Sequence, residues 1–256
     1  MQERTGQLAA AVADLQRAAK VKDEFLGAVS HELRTPLVGV LGMAEALEMP
    51  FSGPLNERQA RYVQGIHQSG ERLLSMVNSL LRYTGVMANT VTVQQEPYGL
   101  AELCAVAVRA VRDHATQKGQ TITVSVEPEG LVITSDREGI IQMIQNLLDN
   151  AVKFTPAGGR IGLEVRRDCQ EDTVHLVAWD TGIGMSAEEQ ATIFQPFVQG
   201  DGSVTRRYGG VGLGLAYVKR MAELLGGTIA LSSAPGEGSC FTITLPISRT
   251  NPANSP

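Results

Sequence analysis

Residues 146–154 read NLLDNAVKF, within a segment, Glu138–Phe154, whose apolar residues recur at helical spacing. Asn146, Asn150 and Lys153 are four and three residues apart, so they share one face of the predicted helix. Two amide oxygens and an ammonium group on one face can hold a hydrated Mg²⁺ and an anionic phosphate, because Mg²⁺ prefers oxygen ligands and keeps its waters. The alternative is a surface helix with a solvated polar stripe.

The segments around this helix alternate between helix and strand. Apolar residues at helical spacing predict helices, and alternation of apolar and polar residues predicts strands. Short turns between the strands favour a mixed sheet with helices on one face, an α/β two-layer sandwich. The other predicted helices are Leu100–Lys118 and Gly212–Leu225, and the predicted strands are Thr121–Val126, Arg160–Val165, Thr173–Asp180, Thr228–Ser233 and Phe241–Leu245.

One predicted strand ends in the sequence DTGIGM, residues 180–185. The carboxylate of Asp180 can accept a hydrogen bond from an exocyclic amine, and Gly182 and Gly184 allow the backbone to approach a flat ligand closely. The same pattern is also typical of a turn that simply ends a strand. Alone it is weak evidence for a site.

A glycine-rich stretch, GGVGLGL at residues 209–215, opens the last predicted helix. Glycine-rich backbone at a helix N-terminus is suited to phosphate binding, so Gly210, Gly212 and Gly214 are candidate site residues. The stretch lacks the GK[ST] of a P-loop. It also lacks the position, after the first strand of a βαβ unit, of a dinucleotide fingerprint.

Residues 195–208 lie between these two glycine motifs and are rich in Gly, Ser, Gln and Arg. Phe194 and Phe197 flank the start of this segment, which has little to bury and is predicted to form a mobile lid. Arg206 or Arg207 is a candidate for contact with a terminal phosphate. The alternative is an untethered surface loop.

The N-terminal third has a different pattern. From Leu8 to Leu33, eight residues follow one another at spacings of four and three, and all except Lys22 are apolar, which is typical of a helix paired with another helix. The alternative is a single amphipathic helix on a globular core. Two prolines and a glycine in Met49–Pro54 break the helix, and the same spacing resumes from Tyr62 to Met87. We therefore predict an antiparallel helical hairpin, which buries little alone and should dimerise into a four-helix bundle.

Between the hairpin and the α/β domain, residues 88–90 and the pair Glu96-Pro97 are predicted to form a linker.

His31 falls outside the apolar seam of the first helix, at a position that points to solvent. An exposed imidazole with one neutral ring nitrogen can act as a nucleophile, and the adjacent Glu32 can accept the proton of the other nitrogen. The alternative is an ordinary solvated histidine beside a glutamate.

Composition excludes several classes of protein. The net charge of −5 argues against nucleic acid as a partner, since phosphate binding needs a basic surface. No apolar run approaches the length of a membrane span, and three scattered cysteines suit a reducing cytosol. We expect a cytoplasmic protein with a membrane connection only through a region upstream of this chain.

Five motifs, in this order, resemble the conserved boxes of sensor histidine kinases. FLGAVSHELRTP at 25–36 resembles the H-box, and NLLDNAVKFTP at 146–156 resembles the N-box. DTGIGM at 180–185 resembles the G1 box, FQPF at 194–197 resembles the F-box and GGVGLGL at 209–215 resembles the G2 box. The resemblance extends from about residue 20 to residue 247. The second part also resembles the wider superfamily of gyrase-type ATPases, MutL-type repair proteins and the heat-shock chaperone.

The resemblance implies a role for each residue of the first helix and of the N-box. His31 would be phosphorylated, Glu32 would act as its base, and Thr35 would orient water when a partner is dephosphorylated. Asn150 would bind Mg²⁺, with Asn146 supporting the metal and phosphate site.

The glycine boxes and the lid complete the implied ATP site. Lys153 would contact phosphate, Asp180 would contact the adenine amino group, and Arg206 or Arg207 would reach the γ-phosphate. The glycines expected to shape the pocket are Gly182, Gly184, Gly210, Gly212 and Gly214. Val211 occupies a position where many members carry Thr, so a hydroxyl near the phosphates is missing.

The implied organisation has four parts. Residues 1–20 would form a coiled-coil signalling helix, 21–90 the dimerisation and phosphotransfer hairpin, 96–247 the ATP-binding domain and 248–256 a disordered tail. Such a homodimer would phosphorylate His31 with ATP and pass the phosphoryl group to the receiver domain of a response regulator. A phosphatase activity of the same protein would remove the phosphoryl group from the regulator.

Two other functions compete with this interpretation. The first is a non-catalytic scaffold that binds nucleotide and transfers nothing, against which His31, Glu32, Asn150 and the lid arginines argue. The second is an ATPase of the gyrase or chaperone type, which would lack the histidine hairpin. Stoichiometric phosphoprotein, as opposed to steady phosphate release, distinguishes the kinase from the ATPase.

Overall fold

Two units make up the chain, Met1–Val91 and Thr92–Pro256. A computed structural model describes residues 33–49, 53–87, 93–198 and 212–247. The predicted coiled coil at 1–20 and the predicted tail at 248–256 lie outside these described residues.

The described residues of the first unit form two helices, α1 over residues 33–48 and α2 over Glu57–Met87. Their mutual contact is formed by small and aliphatic side chains, and a Cβ added at Gly70 would lie 2.7 Å from Cδ2 of Leu41. Arg34 adds a hydrogen bond from its guanidinium to the side chain of Asn78. The buried residues are Leu37, Leu41, Ala44, Val63, Gly70, Val77 and Val86. The predicted helical hairpin is therefore confirmed.

A second row of apolar residues on α2 is not used within the hairpin. We call it the outer stripe, and it consists of Tyr62, Ile66, Leu73, Met76 and Met87, all of them exposed. These residues belong to the spacing that predicted helix pairing, whereas the contact with α1 uses Val63, Gly70 and Val77. Within the described part of the hairpin, α2 thus has a further apolar face that α1 does not cover.

The second unit alternates helices and strands, as its sequence pattern predicted. Its helices are α3 (Leu100–Gln117), α4 (Arg137–Phe154), the short α5 (Ala187–Thr192) and α6 (Gly214–Leu224). Its strands are β1 (Glu96–Gly99), β2 (Thr121–Glu127), β3 (Val132–Ser135), β4 (Arg160–Asp168), β5 (Thr173–Asp180), β6 (Thr228–Ala234) and β7 (Gly238–Pro246). Among the helices of the described ranges, none is long and apolar enough to cross a bilayer.

Five of the strands form one mixed sheet in the order β2-β4-β5-β7-β6, with β2 parallel to β4 and the other pairs antiparallel. Along β5, residues alternate between buried and half-buried, so one face of the sheet forms the core beneath the helices. The buried side chains include Ile140, Met143, Ile144, Leu148, Leu163, Leu176, Val218, Met221 and Ile243. The predicted two-layer α/β sandwich is confirmed.

The predicted linker at Glu96-Pro97 is wrong, because these residues open β1, which pairs antiparallel with β3. Proline is tolerated there since β1 has a partner on one side only, so a missing N–H can face away from the ladder. Four residues with a central Pro-Tyr pair carry no alternation that could reveal a strand.

Candidate functional site

Helix α4 carries the polar face formed by Asn146, Asn150 and Lys153. Asp136 caps its first turn, where Oδ1 accepts a hydrogen bond from the backbone N–H of Gly139 at 2.6 Å. Asn146, Asn150 and Lys153 are all half-buried on this helix. The apolar residues of the opposite face, such as Ile144 and Leu148, are buried and fix its orientation.

Asp180 lies at the end of β5, beside the C-terminal half of α4. Its Oδ1 accepts a hydrogen bond from Gly182 N–H at 2.7 Å, and the backbone N–H of Ser239 also donates to the carboxylate. Burial raises the pKa of Asp180 above its ordinary value, and the hydrogen bonds from Gly182 and Ser239 oppose that rise. The result is a half-buried acceptor held in one orientation.

The loop after Asp180 is closely packed against its neighbours. A Cβ at Gly182 would lie 2.7 Å from the carbonyl oxygen of Phe154, and one at Gly184 would lie 1.8 Å from that of Ala234. Gly184 also has a φ of +66°, which side-chain-bearing residues rarely adopt. Both glycines are therefore required by close approach of the backbone.

The described part of the glycine-rich stretch lies next to α4. Gly214 is the first residue of α6, and a Cβ built there would lie 3.4 Å from Oδ1 of Asn146. Gly212 has a φ of +71° and accepts a hydrogen bond from the N–H of Phe197 at 3.0 Å. This hydrogen bond therefore links the backbone just before the segment 199–211 to the backbone just after it.

These elements surround one open cavity of about 580 Å³, part of which is open solvent. Asn150, Asp180 and Gly184 line it directly, while Gly182, Asn146 and Gly214 lie immediately behind or beside it. The complete lining is Asn150, Phe154, Asp180, Ile183, Gly184, Met185, Glu189, Ile193, Leu215, Ser239 and Phe241. The cavity is mainly apolar, with a few convergent polar groups, as is usual for a small-molecule site.

Lys153 does not line the cavity. Its Nζ lies 4.8 Å from the centre of the Phe154 ring, and burial lowers its pKa. Thr35, the remaining described residue among those singled out, is exposed on α1 in the first unit. His31, Glu32, Arg206, Arg207 and Gly210 lie outside the described residues.

Two family models match the chain in sequence order. Residues 21–85 match the His Kinase A (phospho-acceptor) domain, and residues 135–249 match the histidine kinase-, DNA gyrase B- and HSP90-like ATPase. The chain belongs to the sensor histidine kinases. It contains both domains of their catalytic core.

Similar histidine kinases come from several bacteria. The circadian input-output histidine kinase CikA of Synechococcus elongatus is 40% identical over 95% of this chain, which covers 32% of CikA. The autoinducer 2 sensor kinase/phosphatase LuxQ of Vibrio cholerae is 36% identical over 96% of this chain and 29% of LuxQ. The chain therefore spans about a third of the length of these relatives.

Among solved structures, full-length ShkA in complex with AMPPNP is 34% identical, with a TM-score of 0.74 over 87% of this chain and 45% of ShkA. The Acinetobacter baumannii histidine kinase AdeS, at 23% identity, has a TM-score of 0.59 over 86% of this chain and 98% of AdeS. The AdeS likeness supports the fold alone.

Several lining residues of this histidine kinase were not singled out by sequence reasoning. Ser239 and Phe241 belong to β7, and only the register that sets Asp180 opposite Ser239 brings them to the site. Ile193 directly precedes FQPF and Leu215 ends the glycine-rich stretch, and apolar residues at such places have many other uses. Ile183 and Met185 lie within DTGIGM, so their neighbours could have indicated them.

Proposed function

We propose that this histidine kinase core binds ATP with Mg²⁺ in the cavity of its second unit, phosphorylates His31, and passes the phosphoryl group to an aspartate of a response-regulator receiver domain. The observation that supports this most directly is the convergence of Asn150 and Asp180 on one cavity. These two residues come from separate motifs, and the chain also matches a phospho-acceptor domain.

The cavity suits an adenine ring. Ile183, Met185 and Phe241 provide apolar walls for a flat heterocycle. Asp180 lies among them as a fixed acceptor for the exocyclic amine, since its own hydrogen bonds to Gly182 and Ser239 hold the carboxylate in place. Guanine carries a carbonyl oxygen at the equivalent position and would face the carboxylate unfavourably.

The phosphates would extend toward α4 and the start of α6. Asn150 at the cavity and Asn146 beside Gly214 offer carboxamide oxygens, which fit the oxygen preference of Mg²⁺. When bound, the ion would neutralise phosphate charge. Backbone N–H groups at the first turn of α6 and the ammonium of Lys153 would add positive potential. Arg206 and Arg207, between the F-box and the G2 box, and Gly210 within the G2 box remain proposed contacts.

In the phosphotransfer step, a ring nitrogen of His31 attacks the γ-phosphorus and the bond from phosphorus to the bridging oxygen of ADP breaks. Glu32 accepts the proton from the other ring nitrogen, so charge does not build up on the imidazole. Thr35, exposed on α1 and four residues after His31 in the sequence, would orient water when the regulator is dephosphorylated. One relative, LuxQ, is named as a kinase and phosphatase, which favours such a second activity.

We also propose that two copies associate through the first unit. The outer stripe leaves large apolar side chains in water, with Tyr62 58% exposed and Leu73 47% exposed. Burying such a row of side chains against a second hairpin is favourable and would complete a four-helix bundle.

The decisive experiment is incubation of the chain with γ-labelled ATP and Mg²⁺. We expect an acid-labile, base-stable label on the wild type and none on His31→Gln, because phosphorylated histidine is hydrolysed in acid. Asn150→Ala should lose the label although the first unit, which contains His31, is unchanged, because Asn150 lies in the proposed ATP site of the second unit. Steady phosphate release without labelled protein would instead support the gyrase-type ATPase, and label that persists in His31→Gln would contradict the assignment of the acceptor.

A further inference from the structure

The C-terminal end of α4 is held by side chains from a distant turn. The last carbonyl groups of any helix lack partners within the helix, and α4 ends without a glycine cap, at Thr155 in extended conformation. Lys118, in the turn between α3 and β2, points its Nζ at this end. The ammonium donates hydrogen bonds to the carbonyl oxygens of Val152 at 2.5 Å, Thr155 at 2.9 Å and Lys153 at 3.2 Å.

Gln120 supports the same carbonyl groups. Its Nε2 donates to Thr155 O at 2.7 Å and to Val152 O at 3.1 Å. The Oε1 of this buried amide has no hydrogen-bond partner within the part of the chain that the structure describes. The Gln120 side chain thus leaves its own carbonyl oxygen without a partner among the described residues while its NH₂ group donates to the end of α4. This indicates that the contact with the helix end determines the orientation of the amide.

The turn held in this way is also part of the cavity wall. Phe154 and Asn150 both line the cavity. On its other side, the carbonyl oxygen of Phe154 accepts a hydrogen bond from Ile183 N–H at 3.3 Å, in the loop that follows Asp180. The last turn of α4 thus lies between Lys118 and that loop, and its position sets the separation between Asn150 and Asp180.

We infer that Lys118 is a positioning residue for nucleotide binding, which acts through the last turn of α4 and does not itself line the cavity. This inference rests on the proposed ATP site. A positive charge at a helix C-terminus also interacts favourably with the helix dipole, so the contact combines charge with three directed hydrogen bonds. A side chain without a donor would lose the hydrogen bond to the carbonyl group of Lys153. The carbonyl groups of Val152 and Thr155 would keep only Gln120 as a side-chain donor, so the turn would be held less firmly.

The test compares Lys118→Met with Lys118→Arg in the full chain, at a temperature where circular dichroism shows every variant to be folded. ATP affinity is measured by displacement of trinitrophenyl-ATP, and autophosphorylation is measured against ATP concentration. For Lys118→Met we expect affinity to fall about tenfold, with the rate at saturating ATP retained, because a turn that is free to shift must be ordered again when the nucleotide binds. Lys118→Arg should recover most of the affinity.

The matched control is Asp136→Ala, which removes the cap at the opposite end of the same 18-residue helix. Asp136 does not line the cavity, so this variant destabilises α4 without releasing its last turn. We expect Asp136→Ala to lower the unfolding temperature while leaving ATP affinity close to that of the wild type. Equal losses of affinity in Lys118→Met and Asp136→Ala would overturn the inference, because they would mean that helix stability alone is responsible.

Two further outcomes separate this inference from the function on which it rests. A wild-type chain that does not displace trinitrophenyl-ATP with ATP would overturn both. Normal displacement by the wild type together with unchanged affinity in Lys118→Met would overturn the positioning role alone. If Lys118→Met does not fold, Lys118→Gln, which keeps a shorter donor, is measured under the same criteria.

Discussion

At the scale of a single residue, Asp180 shows how the site and the stability of the fold oppose each other. A half-buried carboxylate loses hydration that only part of its hydrogen bonding replaces, which is why burial dominates its raised pKa. The hydrogen bonds from Gly182 and Ser239 keep the carboxylate oriented for a ligand. An amide at this position would lose the charge and the acceptor geometry while removing the cost of desolvation.

Asp180→Asn should therefore weaken ATP binding without weakening the fold. We expect affinity to fall by about 10- to 100-fold, the range for a hydrogen bond to a charged group. Displacement of trinitrophenyl-ATP measures the affinity, and urea unfolding measures the stability. Unchanged affinity would mean that the adenine does not contact this carboxylate.

The pH dependence of stability provides an independent test of the same substitution. Because the pKa of Asp180 is raised above 3.8 in the folded chain, the folded state binds this proton more tightly than the unfolded state does. As the pH rises from 3.8 through the raised pKa, the free energy of unfolding of the wild type should fall relative to that of Asp180→Asn. Urea unfolding followed by the fluorescence of Trp179 measures the difference, and a difference that rises with pH would contradict the direction.

At the scale of secondary-structure elements, the sequence predicted those elements that carry a long periodic pattern. Helix α4 was predicted to begin at Glu138 and begins at Arg137, because its buried face repeats over several turns. The short α5, over Ala187–Thr192, was not predicted, since six residues provide fewer than two turns of pattern. Its capping box, formed by Ser186 and Glu189, was the local signal available in the sequence.

The candidate site was predictable to the extent that its residues belong to local motifs. Asn150 and Asp180 were found because amide, carboxylate and glycine residues cluster around them. Ser239 and Phe241 were not found, because their place depends on the pairing of β7 with β5, a contact between residues far apart in the chain. The alternation of apolar residues decides which face of each strand is buried, but it does not identify the residue of a distant strand that lies opposite.

The loop after β5 packs closely against the end of β6, and two glycine substitutions measure how much this close packing contributes to stability. Gly184→Ala and Gly130→Ala both place a side chain at positive φ, +66° and +79°, but only Gly184 meets a backbone atom, Ala234 O at 1.8 Å from an added Cβ. Both variants should bear the backbone cost, and Gly184→Ala should lose a further 1–3 kcal/mol, roughly the cost of overpacking. Urea unfolding measures both, and equal losses would mean that the loop moves freely away from β6.

At the scale of the whole molecule, the two units have different sources of stability. The second unit contains a sheet and three long helices around a closed core, so it can be stable as a monomer. In its described residues, the first unit buries a row of small and aliphatic side chains and leaves the outer stripe exposed. The two units were expected from the sequence, because apolar residues spaced four and three apart in the first part give way to alternating helices and strands in the second.

This difference predicts two unfolding transitions that respond differently to protein concentration. Trp179 is the only tryptophan of the chain and lies in the second unit, so its fluorescence reports on that unit, whereas far-UV circular dichroism reports on the helices of both. Raising the protein concentration about tenfold should shift the hairpin transition to higher urea, since association stabilises only the associating part. The Trp179 transition should stay in place.

A charge in the outer stripe provides the control for this experiment. Leu73→Glu should remove the concentration dependence by placing a carboxylate in the apolar contact between hairpins, and it should leave the Trp179 transition unchanged. Sedimentation velocity of the same variant should give a monomer. Coincident transitions by both probes, or a Trp179 transition that shifts with concentration, would show that the two units unfold together and that the second unit also depends on the dimer.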